Sequence, residues 1–124
     1  MRRVLLDTSA YSAMRRGDER LLHPLREAAG VFLTTVVLGE LLFGFVGGRL
    51  DLDNRRLLRE FLDLDRVELV PVDEETAERY AVIRDQLRRQ GTPIPTNDLW
   101  IAASAAQHGL VLLTLDRQAI ESLA

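Results

Sequence analysis

The sequence contains no cysteine and no lysine, and only two of its 124 residues are histidine. Without cysteine there is no disulfide framework, no thiol nucleophile and no thiolate metal site, and two distant histidines do not make a zinc site. A serine triad would need His23 or His108 as its base. His23 precedes Pro24 in a charged helical segment, and His108 lies where a helix ends, a favourable place for an imidazole.

Long apolar runs and nucleotide-binding motifs are absent as well. No run reaches the roughly 20 residues that span a bilayer, and three apolar residues before Asp7 are too few for a signal peptide. Neither a P-loop nor a GxGxxG motif occurs. We therefore expect a soluble cytoplasmic protein without membrane contact. The net charge of −3 shows no basic excess of the kind typical of nucleic-acid binding, although the distribution of charge matters more than its sum.

The composition is that of a folded domain. A hydrophobic fraction of 47% supplies a core, and a charged fraction of 28% argues against disorder. We expect one domain over residues 1–124, in which four short apolar strands alternate with helices around a parallel sheet covered on both faces. The predicted strands are 3–6, 31–34, 67–70 and 110–114; the predicted helices are 18–29 (interrupted by Pro24), 35–48 (capped by Thr35), 53–64, 73–91 and 96–109.

Three carboxylates stand alone in weakly charged surroundings. Glu40 is the only charge in the apolar stretch 31–48, Asp7 the only one between Arg3 and Arg15, and Asp98 the only one between Arg89 and Asp116. Glu40 lies past the first helical turn, where the helix dipole no longer stabilises it. Because an unpaired buried carboxylate costs several kcal/mol, Glu40 needs a partner, either an arginine or a metal ion.

Two acids follow strands directly. Asp7 comes after the first strand and Asp116 two residues after the last, so both are expected at the carboxyl edge of the sheet, where reactive groups gather. A divalent cation would relieve the repulsion within such a group, and oxygen ligands suit Mg²⁺ or Mn²⁺. Helix capping by Asp7 or Asp116, and a dipole interaction of Asp98, are the structural alternatives. Neighbouring polar side chains are candidates for orienting waters or acids: Thr8, Thr96, Asn97 and Thr114.

Four segments, "LLDTSAY", "TTVVLGELLFG", "PTNDLWIAASAAQHG" and "LVLLTLD", together resemble the PIN-domain ribonucleases, and most closely the VapC-type toxins of type II toxin–antitoxin pairs. The resemblance implies a Rossmann-like three-layer α/β sandwich with a four- to five-stranded parallel sheet. It implies an endoribonuclease dependent on Mg²⁺ or Mn²⁺ that cuts RNA with metal-activated water. The carried-over residues are Asp7, Glu40, Asp98 and Asp116 as the acidic, metal-binding cluster, with Thr8 or Thr114 as a supporting hydroxyl.

The resemblance also implies a homodimer and a small antitoxin that covers a hydrophobic groove and the metal site. The apolar helix "VVLGELLFGFV" fits such a partner face, and complete burial inside the monomer is the alternative. One departure is the C-terminus: after Asp116 the chain reads "RQAIESLA", where relatives often carry a histidine–phenylalanine pair and a further short strand.

Other functions stay open or fail on particular residues. A receiver domain needs a late lysine, and a haloacid-dehalogenase-type phosphatase needs an acid where Ser9 stands. A PIN-domain RNA-processing nuclease that is not a toxin, and a non-catalytic PIN-like binding module, remain alternatives. Arginines that flank the acids are candidates for contacts with the RNA backbone. The simpler interpretation is that they lie on solvated helix faces and pair with Asp or Glu. These arginines are Arg15, Arg16, Arg49, Arg55, Arg56 and Arg59.

Overall fold

The computed structural model describes residues 2–115, which form a parallel sheet with helices packed against it. The strands are β1 (Arg3–Leu6), β2 (Gly30–Thr34), β3 (Val67–Val70) and β4 (Val111–Leu113). The helices are α1 (Thr8–Arg15), α2 (Glu19–Glu27), α3 (Thr35–Phe45), α4 (Asp51–Leu62), α5 (Glu74–Gln90) and α6 (Thr96–His108).

The strand order is β3-β2-β1-β4, with every neighbouring pair parallel. Leu5 and Leu6 of the central strand β1 are both fully buried, although successive strand residues point to opposite faces. Helices therefore cover both faces, as the three-layer prediction requires. The order of the strands reverses between β1 and β4, and open α/β sheets place their sites beyond the carboxyl ends of strands at such a switch point.

All five predicted helices are present, with ends that differ from the prediction by up to three residues, and α1 is a further helix for which no range was predicted. Two differences have a specific cause. Thr34, not Thr35, caps α3: its buried hydroxyl accepts a hydrogen bond from the Val37 amide at 3.1 Å. Pro24 does not interrupt α2, which continues through it to Glu27. Burial of Leu21 and Leu25 on the core side stabilises α2 enough to offset the hydrogen bond that proline lacks.

Two helix caps perturb carboxyl groups. Asp18 caps α2 and accepts hydrogen bonds from the backbone and side chain of Arg20, which lower the pKa of Asp18 to about 2. Asp73 caps α5 in a reciprocal box with Thr76, and hydrogen bonds from the Thr76 amide and Gln107 lower the Asp73 pKa. Both helices are thus stabilised by a charged N-cap.

Within residues 2–115, no helix is both long and apolar enough to cross a membrane.

Candidate active site

Asp7 lies at the end of β1 and is buried, with 6% of its surface exposed. One carboxylate oxygen, Oδ1, accepts hydrogen bonds from the Ala10 amide at 2.8 Å and from the Ser9 hydroxyl at 2.7 Å. The other, Oδ2, accepts one from Thr114, the residue after β4. Asp7 therefore caps α1, as the structural alternative proposed, and at the same time connects the ends of the two strands at the switch point.

Ser9 is a site residue that the sequence analysis did not single out. Its hydroxyl donates to Asp7 and also accepts a hydrogen bond from the Leu115 amide at 3.0 Å. Its oxygen lies 3.4 Å from the Thr114 hydroxyl. Ser9 thereby attaches the chain after β4 to the start of α1. The available signal was a hydroxyl two residues after an N-cap aspartate, but its contact with the chain after β4 depends on the tertiary fold.

Glu40 occupies α3 and is half-buried. It accepts a hydrogen bond on Oε1 from Thr8 at 2.6 Å and one on Oε2 from Asn97 at 2.9 Å. The sequence predicted an arginine or a metal ion as the partner of this carboxylate. No arginine of residues 2–115 forms an ion pair with Glu40, so its protein partners are a hydroxyl and an amide, and the metal ion stays a prediction. Glu40 thus connects the start of α1 with the start of α6.

Asp98 lies in the first turn of α6, directly after Asn97, and is half-buried. This position is favourable to the helix dipole, the structural alternative for this residue. Through Asn97 the first turn of α6 is held against Glu40. The fourth predicted acid, Asp116, lies outside the described residues.

The hydrogen bonds place Asp7, Glu40 and the start of α6 at one edge of the sheet. Across residues 2–115, however, no three acidic or histidine side chains are grouped so as to hold a metal ion by themselves. The four-acid cluster therefore stays a prediction. The atoms at this edge that could coordinate a metal ion are carboxylate, hydroxyl and amide oxygens. Oxygen ligands fit a hard cation such as Mg²⁺ or Mn²⁺ and do not fit zinc.

The predicted RNA-contacting arginines divide into three groups. Arg15 is structural: it donates to the Leu57 carbonyl at 2.8 Å and its guanidinium lies over the rings of Tyr11 and Phe61. Arg16 and Arg49 are exposed and form no ion pair with the described part of the chain. Three others form i,i+4 ion pairs along α4, as the simpler interpretation proposed: Arg55 with Asp51, Arg56 with Glu60, and Arg59 with Asp63.

The apolar helix α3 is buried on one side only. Val37 and Leu41 belong to the core, whereas Phe43 is 83% exposed. Complete burial, the alternative considered for this helix, is therefore wrong. The exposed apolar side chains continue across the connection into α4, and we call Phe43, Val46, Leu50 and Leu52 the α3–α4 patch.

Comparison with known proteins identifies the class that this fold and site define. The sequence model described as "PIN domain" matches residues 4–124, and the chain belongs to the PIN-domain family. Ribonuclease VapC4 of Mycobacterium tuberculosis is 32% identical, over 94% of this chain and 88% of the relative. Toxin FitB of Neisseria gonorrhoeae is also 32% identical, over 91% and 87% respectively. The crystal structure of VapBC-5, a toxin–antitoxin system member from M. tuberculosis, superposes with a TM-score of 0.76 at 31% identity, covering 98% of this chain and 90% of that one.

Proposed function

We propose that this chain is the toxin of a type II toxin–antitoxin pair and an endoribonuclease that hydrolyses RNA phosphodiester bonds with Mg²⁺ or Mn²⁺. The observation that carries the proposal is the placement of two carboxylates at the switch point of the sheet. Asp7 accepts hydrogen bonds from α1 and from the residue after β4, and Glu40 accepts them from the starts of α1 and α6. Relatives named ribonuclease, at 32% and 35% identity, support it, and PIN-domain ribonucleases generally depend on a divalent metal.

The proposed metal ligands are Asp7, Glu40, Asp98 and Asp116. A bound Mg²⁺ or Mn²⁺ supplies a water of lowered pKa and neutralises charge on the phosphoryl group. Ser9 and Thr114 each donate a hydrogen bond to a different carboxylate oxygen of Asp7. Thr8 and Asn97 do the same for the two carboxylate oxygens of Glu40. These four polar side chains position the acids, which is the role that outer partners have around metal ligands.

Two surface features of the described residues support the proposed substrate and partners: exposed arginines and the α3–α4 patch. Arg16 and Arg49, which are exposed and form no ion pair there, are the proposed contacts for the RNA backbone. The α3–α4 patch is the proposed partner face, for the antitoxin or for a second copy of the chain in a homodimer. Several similar solved structures are toxin–antitoxin complexes, among them VapBC-5 and FitAcB, which supports an antitoxin partner. The proposed place of action is the cytoplasm.

Conservative variants of the two central acids test the proposed chemistry. Asp7→Asn keeps an N-cap side chain, and Glu40→Gln keeps its shape, so both should fold while losing the charge that holds the cation. We expect each to lower RNA cleavage about 100-fold or more, and chelation with EDTA to abolish cleavage by the unaltered chain until Mg²⁺ or Mn²⁺ is restored. Cleavage of single-stranded and structured RNAs on gels is the measurement.

Asp65→Asn is the matched control, because it removes an equal charge from an exposed turn and should cut at the original rate. Equal cleavage by all four proteins, or cleavage in EDTA, would refute the metal-dependent site. Expression in cells then separates the toxin from an RNA-processing nuclease: growth arrest that depends on Asp7 and is relieved by a co-expressed antitoxin is expected of the toxin only.

A further inference from the structure

A cavity of about 250 Å³ lies between the end of α5, the connection 91–95 and the start of α6. Its floor is formed by Leu87, Ile94 and Leu99, each less than 10% exposed, which make a small core separate from the main one. Charged and polar groups stand around the opening, namely Arg84, Arg88 and Thr96. The cavity is thus apolar at its base and positively charged at its entrance.

Two prolines restrict the backbone of the connection that lines the cavity. Gly91 ends α5 in the left-handed conformation, with φ of 72°, and turns the chain toward α6. Pro93 and Pro95 follow within four residues, and each restricts the backbone of the connection. A cavity with such a wall exists before a ligand arrives, which lowers the entropic cost of binding.

Arg84 differs from its neighbours on α5. Arg88 and Arg89 both form ion pairs with Asp85, at 2.5 Å and 3.0 Å, and Arg79 lies 3.8 Å from Glu75. Arg84 forms no ion pair with any described residue; its guanidinium donates to the Tyr80 hydroxyl at 2.7 Å. Its positive charge is therefore available to an anion at the mouth of the cavity.

An aromatic stack adjoins the same small core. The rings of Tyr80 and Trp100 lie 3.9 Å apart between centroids and 12° from parallel, and Tyr80 packs against the apolar floor. Trp100 is the only tryptophan in the chain. Binding in the cavity therefore has a built-in fluorescent reporter on α6.

The cavity adjoins the candidate active site through the first turn of α6. Thr96 lines the cavity, and the next residue, Asn97, donates its hydrogen bond to Glu40. The cavity and the Asn97–Glu40 hydrogen bond therefore lie at the same turn of α6, where consecutive Cα atoms are about 3.8 Å apart.

We propose that this cavity binds one nucleobase of single-stranded RNA next to the bond to be cut, with Arg84 contacting an adjacent phosphate. The cavity is smaller than the about 300–1,000 Å³ that drug-sized ligands occupy, which suits a single planar base. Proteins recognise unpaired bases on apolar, aromatic and guanidinium surfaces, and the phosphate matches the unpaired charge. This inference rests on the proposed ribonuclease function and adds a substrate-binding subsite to it.

Fluorescence of Trp100 tests the proposal without cleavage. A short single-stranded oligoribonucleotide is titrated in EDTA into Asp7→Asn, with inorganic phosphate and a nucleoside 5′-monophosphate as separate probes. We expect a saturable change with the oligonucleotide and a weaker one with the nucleotide. Adding Arg84→Gln should raise the Kd for the oligonucleotide about 10-fold, whereas Arg79→Gln, the matched control on the same helix, should leave it unchanged.

Any of three results would overturn the proposal that the cavity binds a nucleobase. The Arg84 and Arg79 variants could bind the oligonucleotide with equal affinity, or inorganic phosphate could change Trp100 fluorescence as much as the nucleotide does. An acidic peptide could also give the same fluorescence change as the oligonucleotide. Cleavage assays separate this failure from failure of the ribonuclease assignment. If Arg84→Gln binds normally while Asp7→Asn still abolishes cleavage, the cavity proposal fails alone. If binding depends on Arg84 but the unaltered chain cuts no RNA, the nucleotide site is supported and the ribonuclease is not.

Discussion

At the scale of single residues, the site consists of carboxylates whose oxygens are held by short polar side chains. Asp7 is held by Ser9 and Thr114, and Glu40 by Thr8 and Asn97. Their isolation in weakly charged sequence singled out both acids and predicted that each carboxylate has a partner, because a buried charge without one is costly. It was not enough to predict which partners, since these come from distant segments.

Ser9→Ala tests whether the hydroxyl positions the acid. The change removes hydrogen bonds to Asp7 and to the Leu115 amide, so we expect a stability loss of about 1 kcal/mol. We also expect turnover to become about 10- to 100-fold slower while KM changes little. Single-turnover RNA cleavage and urea unfolding are the measurements.

Ser12→Ala, one turn along α1, is the control for Ser9→Ala and should leave the rate of turnover unchanged. A purely structural role for Ser9 would be shown by lost stability with normal turnover, and rescue by Ser9→Thr would support positioning.

At the scale of elements, caps set where helices begin. The sequence predicts a helix over 73–91, and the structure agrees to within one residue at each end: Asp73 is the N-cap of α5 and Gly91 its C-cap. The predicted cap of α3 was wrong by one residue, because Thr34 and Thr35 carry the same cap-forming hydroxyl and only the end of β2 decides between them. Similarly, Pro24 predicts a break that tertiary packing of Leu21 and Leu25 prevents.

The α5 cap makes stability depend on pH. Hydrogen bonds from Thr76 and Gln107 lower the pKa of Asp73, so its stabilisation is fully present above the unfolded pKa of about 3.9 and is lost as pH falls through the lower, folded value. Asp73→Asn should therefore be less stable than the unaltered chain at pH 7, with the difference shrinking below about pH 4.

Urea unfolding at pH 7, 5, 4 and 3 measures this difference. Asp65→Asn, which removes a charge from an exposed turn, is the control. A stability difference between Asp73→Asn and the unaltered chain that stays constant over the whole pH range would contradict a charged cap. A difference that grows toward low pH would contradict the lowered pKa of Asp73.

At the scale of the whole molecule, strand order decides where chemistry is placed. In the order β3-β2-β1-β4, Asp7 and Thr114 follow adjacent strands although 107 positions separate them. The same packing buries one side of α3 and leaves the α3–α4 patch exposed, with Phe43 and Leu52 each 83% exposed. Contiguous exposed apolar side chains of this kind mark interaction surfaces.

Phe43→Ser tests the patch as the partner face. Because Phe43 makes little contact with the core, the variant should keep its stability and its RNA cleavage while binding of the antitoxin, or self-association, weakens at least about 10-fold. Calorimetry with the antitoxin and sedimentation of the chain alone are the measurements. Val82→Ser, an exposed apolar side chain on α5, is the control. Unchanged association in both assays would exclude the patch as an interface.

The sequence by itself determined the alternation of strands and helices, the limits of α5 and α6 to within one residue, and the isolation of the acids Asp7, Glu40 and Asp98, because periodicity, caps and lone charges are local properties. Only the tertiary structure decided what lies next to those acids: Thr8 and Asn97 rather than an arginine at Glu40, and Ser9 with Thr114 at Asp7. The small cavity beside α6 likewise exists only after α5 and α6 pack. Contacts between distant segments depend on strand order and packing, which no local pattern contains.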